Sequence, residues 1–151
     1  MPERTRRFGL GRIVLDASAV ARSRGDRRVG TDHLVVAVLT GADRIAADAL
    51  GSDRETAYQA LCELDRQALA AVGIAGVDVG PAPAVAGRRL PLTPGALAVF
   101  TGLGRLSRGE RTGVKHVVLA LLARRPPDPA AALLDALRID RAGARQRLGA
   151  A

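Results

Sequence analysis

The chain has 151 residues, of which 48% are hydrophobic and only 2% aromatic, and it carries a formal net charge of +8. This apolar content supports a packed core of one domain and excludes a disordered chain. A core without aromatic residues is built from small aliphatic side chains, which helices pack well, so the composition favours an all-α fold.

Cysteine content and hydropathy indicate which cellular compartment the chain fits. Cys62 is the only cysteine, so no disulfide can form within the chain, and a reducing cytoplasm fits. The basic N-terminus lacks a long apolar stretch, so we expect neither a signal peptide nor a membrane-spanning helix, and no membrane partner. The arginines are spread along the chain, and their abundance is typical of GC-rich bacterial genomes. We therefore rank nucleic acid as the less favoured partner.

The first two helices are predicted from apolar spacing and helix-end signals. Apolar residues recur at three- and four-residue spacing from about Leu10 to Arg24, and Gly25 then ends this helix. A second helix begins near Thr31, which we expect to be its N-cap, with Asp32 in the first turn. The apolar run that follows could also form a buried strand. The capped start and the helical sequence after it favour a buried helix.

Two further helices and a linker complete the first half. A short helix is predicted over about residues 43–50, and "SDRE" then resembles a capping box with Ser52 as the cap and Glu55 as its partner. The helix that it opens extends to about Val72. Residues 73–91 are rich in glycine and proline, so we expect a linker there, with room for a short extended hairpin.

The second half repeats this order of helices. Thr93 is a cap followed by a first-turn proline, and Gly102 and Gly104 weaken the helix that it opens. A helix over about residues 114–123 follows. The last two helices are predicted to start at Asp128 and Asp140.

The two halves share a sequence motif. "VGTDHLVVAVL" ends at Leu39 and "TGVKHVVLALL" ends at Leu122, and the two align without gaps through Gly30 and Gly113 and through the two histidines. We therefore predict a pseudo-twofold bundle of two four-helix repeats in one domain. Repeat 1 covers about residues 10–72, the linker 73–91 and repeat 2 about 92–148.

These paired motifs resemble the Clp N-terminal domain, the double Clp repeat at the front of Clp/Hsp100 ATPases. The resemblance covers nearly the whole chain and implies a stand-alone, non-catalytic protein- or peptide-binding module. As partners it implies a Clp ATPase, its adaptors or its substrates, with an adaptor or ligand-competitor role in chaperone-linked proteolysis. The exposed loops Arg22 to Arg28 and Arg105 to Arg111 would carry partner specificity.

The resemblance also implies a small-ligand site in each repeat. In some members an acidic residue before the histidine holds the guanidinium of phosphoarginine, a tag for degradation. That position is Asp32 in the first repeat and Lys115 in the second, next to Thr31 and Val114. Thr93 matches the phosphate side of the family site. Gly95 stands where the family has arginine, and Lys115 would repel a guanidinium, so at most one site is intact.

The two histidines are expected to be structural. His33 and His116 each lie in a first helical turn, where a side chain can bond backbone or fix the preceding loop, as Gly30 and Gly113 shape the same turn. With no second histidine or cysteine nearby, a metal has little support, and no cofactor is expected. The chain lacks a phosphate-binding loop, a G-x-S-x-G elbow and an H-E-x-x-H motif, so an enzyme using His33 and Asp32 ranks last.

Overall fold

The computed structural model describes residues 9–41, 43–74, 76 and 88–150. Within these ranges the elements are nine α-helices and no strand, apart from an isolated parallel bridge between Val29 and Leu92. The helices are α1 (Leu10–Ser23), α2 (Thr31–Val38), α3 (Ile45–Leu50), α4 (Arg54–Ala71), α5 (Pro94–Thr101), α6 (Leu103–Ser107), α7 (Val114–Leu122), α8 (Pro129–Ala136) and α9 (Arg141–Ala150). The all-α prediction is confirmed. Most of the predicted linker, residues 75 and 77–87, lies outside the described residues.

Several helix starts are where local side-chain chemistry predicts them. The Thr93 hydroxyl accepts a hydrogen bond from Ala96 N–H (3.2 Å), and an Asp128 carboxylate oxygen accepts one from Ala130 N–H (2.9 Å). Each cap precedes a proline at the first helical position, where the missing N–H costs nothing. The apolar run of α2 is a buried helix, as predicted, and not a strand.

Two predicted caps are wrong. Gly30, not Thr31, precedes α2, and the Thr31 hydroxyl bonds to another helix instead. Asp53, not Ser52, caps α4, because its carboxylate accepts from Thr56 N–H at 2.7 Å. The buried Ser52 hydroxyl has no hydrogen-bond partner among the described residues.

The first helix of the second half is also shorter than predicted. It divides at Gly102 into α5 and α6, since the glycine removes a side chain that would stabilise a continuous helix. At the short helix α3 the difference is smaller, because α3 starts at Ile45 rather than near Asp43.

Helices α2 and α7 form the centre of the core. Every residue of α2 except Asp32 is buried, and α2 contacts α1, α4, α5, α7 and α8. Helix α7 contacts α3, α5, α6, α8 and α9 in turn. Side chains of α4 pack on α8, and those of α3 pack on α9. Within the described ranges, no helix combines the length and apolar character needed to span a bilayer.

The end of the linker places the starts of α2 and α5 side by side. Val29 N–H donates to the Pro91 carbonyl (2.8 Å), and Thr93 N–H donates to the Val29 carbonyl (2.9 Å). Leu90 N–H donates to the hydroxyl of the buried Ser18 on α1 (2.9 Å). These bonds fix the loop before α2, which ends at Gly30 and leads directly into the predicted site residues Thr31, Asp32 and His33.

Candidate functional site

Helices α2 and α7 begin with the same hydrogen bond. Gly30 N–H donates to His33 Nδ1 at 2.9 Å, and Gly113 N–H donates to His116 Nδ1 at 3.1 Å. Both histidines are 4% exposed. A ring nitrogen that accepts a hydrogen bond carries no proton, so Nε2 holds the ring proton in both residues. Each imidazole therefore presents one donor, Nε2–H, on the side away from its helix start.

His33 uses this donor within the chain. Its Nε2 lies 2.9 Å from an Asp26 carboxylate oxygen, so the ring joins the start of α2 to the loop after α1. Asp32 accepts from the His33 backbone N–H (2.9 Å). Since Nε2 is protonated, Arg24 Nη1, 3.0 Å from that atom, is a packing neighbour and not a donor to the ring. Both ring nitrogens of His33 are thus engaged.

Asp32 already forms an ion pair with a guanidinium of the same chain, that of Arg24. The Arg24 side chain is only 10% exposed, and its Nη1 lies 3.4 Å from Asp32 and 3.5 Å from Asp26. It also forms an ion pair with Asp65 on α4. Burial alone would lower the pKa of Arg24, but the bond to Asp65 and the three carboxylates raise it above its ordinary value. We call Arg24, Asp26, Asp32, His33 and Asp65 the Arg24 cluster.

The Arg24 cluster corrects one expectation from the sequence. Arg27 and Arg28 are exposed, as expected for a partner-binding loop, but Arg24 in the same segment points inward. Its apolar stem and charged head link α1, α2 and α4, so it acts in packing and not as a free surface cation.

The second half has a closely similar tetrapeptide without these partners. Ser107 to Glu110, "SRGE", matches "SRGD" at residues 23–26. Arg108 is exposed, and Lys115 Nζ lies 3.9 Å from Glu110. A cavity of about 340 Å³, which we call the basic cavity, opens beside Lys115 and His116. It is lined by Arg105, Leu106, Ser107, Arg108, Glu110, Lys115, His116 and Leu119.

Thr31 forms a polar link between the two halves. Its hydroxyl donates to Asp128 (2.5 Å) and accepts from Ala130 N–H (3.1 Å), so it helps to cap α8. Asp128 also accepts from Arg124 Nε at 2.8 Å. Burial alone would raise the pKa of Asp128, but the bonds from Thr31, Arg124 and Ala130 lower it below its ordinary value.

The remaining predicted site residues lie in different surroundings. The Thr93 hydroxyl caps α5, and the partly buried Val114 packs against the core. A Cβ on Gly95 would lie 3.4 Å from the Arg124 guanidinium and 3.6 Å from the Thr31 side chain, so Gly95 packs closely beside both residues. Thr31, Thr93 and Gly95 are thus brought to one region, whereas Lys115 belongs to the basic cavity.

Two important pairings were not predicted from the sequence. Arg24 and Asp65 are separated by 41 positions, and Thr31 and Asp128 by 97, so no local pattern connects either pair. One available signal was the repeated "SRGD" and "SRGE", which marks Arg24 and Arg108 as counterparts with different surroundings.

The chain matches no known protein-family model, and no curated protein or solved structure is found to be similar to it. Within the described residues, no group of three or more His, Cys, Asp or Glu side chains is placed to hold a metal ion.

Replacing Arg24 by methionine tests whether the Arg24 cluster stabilises the fold. Arg24→Met should lower the free energy of unfolding by about 1–3 kcal/mol, because three carboxylates then repel one another around an apolar side chain. Asp26 and Asp65 are partly solvated, which keeps the loss below that of a fully buried pair. The control is Arg66→Met in the exposed pair with Glu63, where urea unfolding should change by less than about 0.5 kcal/mol. Equal losses in both variants would contradict a special role for Arg24.

The Asp128 link predicts a pH-dependent contribution to stability. A carboxylate with a depressed pKa stabilises the fold above its ordinary value of 3.8 and loses this contribution as the pH falls below it. Asp128→Asn retains a good capping residue but loses the charge, so it should cost about 1–2 kcal/mol at pH 7. This difference from the native chain should shrink as urea unfolding is repeated towards pH 3. The exposed Asp48→Asn should show little difference at either pH, and a constant Asp128→Asn deficit would argue against the link.

Proposed function

We propose that this chain is a non-catalytic protein- or peptide-binding domain of the Clp N-terminal kind, built from two four-helix repeats. The observation that carries this proposal is the shared start of α2 and α7, where a glycine N–H bonds the histidine three residues later in each half. Two unrelated helices would have no reason to share this cap, the glycine, the histidine and a following apolar run.

The helix contacts support the pseudo-twofold arrangement. Exchanging α1 with α5 and α6, α2 with α7, α3 with α8, and α4 with α9 converts most of the observed contacts into other observed contacts, although the contacts of α2 with α5 and of α7 with α8 have no counterpart of similar extent. The contact of α2 with α8 becomes that of α7 with α3, and α4 with α8 becomes α9 with α3. The contact between α2 and α7 maps onto itself, as expected for helices beside a twofold axis.

The surroundings of the first histidine favour binding over catalysis. His33 is 4% exposed and both of its ring nitrogens are engaged by Gly30 and Asp26, so a reacting group would have to break an existing bond. A rigid helical scaffold with exposed arginine-rich loops suits recognition of a partner surface. In this role the chain would act as an adaptor or ligand competitor in Clp-dependent proteolysis.

Among ligands of that kind, we place peptides and adaptors before phosphoarginine. A phosphoarginine guanidinium would have to displace Arg24 from Asp32 in the first half. In the second half it would meet Lys115, which repels it. Neither obstacle applies to a folded partner that docks on the outer loops.

Binding to purified Clp components tests the proposal directly. The immobilised chain should retain a bacterial Clp ATPase, one of its adaptors or one of its substrates, with a Kd in the micromolar range that is usual for transient partners. Arg27→Glu in the exposed loop should weaken binding at least about fivefold, since one rim charge pair contributes about 1 kcal/mol. The matched control is Arg125→Glu, another exposed arginine outside the helices. Retention of none of the three classes would overturn the proposal.

The net charge of +8 favours one alternative, a nucleic-acid-associated protein. We expect no mobility shift of duplex DNA or RNA at about 150 mM salt. If the arginines instead bound phosphates, affinity would fall by about 10³-fold or more between 50 and 200 mM salt for six or more contacts. A gel-shift titration at both salt concentrations distinguishes the two functions, and a steep loss would favour the alternative.

A further inference from the structure

The two histidine sites differ in what surrounds their matching arginines. In the first half, Arg24 extends inward to Asp32 and Asp65 and fills the space beside His33. In the second half, Lys115 takes the place of Asp32, so Arg108 has no inward carboxylate of that kind to pair with. The basic cavity, about 340 Å³, lies at this position. Its volume is at the lower end of the range for small-ligand sites.

The charges around the basic cavity attract an anion. Three cationic side chains, Arg105, Arg108 and Lys115, line it together with one carboxylate, Glu110, which leaves a net charge of +2. Glu110 is 68% exposed and lies 3.9 Å from Lys115 Nζ, so solvent weakens this pair.

The histidine of the second half places a ring donor at the cavity. His116 Nδ1 accepts from Gly113, so Nε2 carries the ring proton and faces the cavity that His116 lines. The nearest carboxylate oxygen, on Glu110, is 3.8 Å away, beyond hydrogen-bond distance. The side chain is only 5% exposed, and its Nε2 opens to the cavity, where a ligand oxygen can take the hydrogen bond that solvent otherwise accepts. In the first half Asp26 supplies that oxygen to His33.

We propose that the basic cavity binds a phosphate monoester group. His116 Nε2–H donates to one phosphate oxygen, while Arg108 and Lys115 pair with the others. A monoester near neutral pH carries close to two negative charges and matches the net charge of +2, whereas a carboxylate or a nucleic-acid phosphodiester carries one. Leu106 and Leu119 give the cavity an apolar wall for the group that bears the phosphate.

Phosphate binding here does not depend on Clp-type partner binding, because it needs only the cavity and its own side chains. The phosphate could belong to a small phosphorylated molecule or to a phosphorylated side chain of a peptide. Both place the same dianion against His116, so the two sources are separated by the choice of probe.

Calorimetry and histidine-ring NMR on the full chain test the site with phenyl phosphate and a phosphoserine heptapeptide. At least one probe should bind one-to-one with a Kd of about 1 mM or below and should shift the His116 ring signals but not those of His33. Acetate should bind at least about tenfold more weakly. Tighter binding of the peptide would indicate a phosphoprotein partner, and tighter binding of phenyl phosphate a small molecule. No saturable binding of either probe, or equal binding of acetate, would overturn the proposal.

Three variants identify the residues involved. Arg108→Asn removes the cation but suits the left-handed backbone at this position (φ 46°), and it should weaken binding about tenfold, as should Lys115→Glu. Arg125→Glu changes the net charge as much as Lys115→Glu, and it should leave the Kd within about twofold. Lys115→Asp gives Arg108 the partner that Arg24 has, so it should weaken phosphate binding at least as much as Lys115→Glu while urea unfolding stays native-like. Unchanged phosphate affinity in folded Lys115→Glu and Arg108→Asn would contradict the assignment.

Discussion

The structure depends on a hydrogen bond made twice, from a glycine N–H to the Nδ1 of a buried histidine at the start of each central helix. The bond satisfies a backbone donor that a buried helix start would otherwise leave unpaired. At α2 the approach is so close that a Cβ on Gly30 would lie 2.6 Å from Asp32. Because the bond fixes the ring tautomer, it also sets what the outer face of each imidazole can do: donate one hydrogen bond from Nε2.

The two halves share this helix start and differ in a few charged residues around it. In the first half the residue before the histidine is Asp32. Asp32 pairs with Arg24, and His33 bonds to Asp26, so these polar groups are paired within the chain. In the second half that residue is Lys115, the matching Arg108 stays exposed, and the histidine donor faces a cavity. Asp65 and Asp32 together hold Arg24 at low exposure in a closed ion cluster, whereas Lys115 repels Arg108 and the site of the second half stays open and basic.

The sequence is informative about features that depend on near neighbours. The caps at Thr93 and Asp128, the buried helix α2 and the all-α class follow from spacings of two to four residues, and the structure has them. Ser52 and Asp53 are both good caps, so the choice between them depends on how the chain enters α4. The bond of Thr31 to Asp128 and the pair of Arg24 with Asp65 join distant segments, and only the packing of the helices brings them together. The candidate site was therefore predicted in its histidines, Asp32 and Lys115, and missed in the pairings of Arg24 with Asp65 and of Thr31 with Asp128.

The two halves also differ in the helix starts through which they contact each other. Thr31 crosses to α8 and helps to cap it, so that helix start is held by two side chains, those of Thr31 and Asp128. The counterpart of Thr31 is Val114, which packs against the core, and α3 begins at Ile45, after Arg44, without a side-chain cap. The polar groups of the first half thus form internal bonds that stabilise the bundle, and those groups are not available to a ligand. In the second half the corresponding position, Val114, contributes only apolar packing, so within the described ranges none of the polar groups around the basic cavity takes part in joining the two halves.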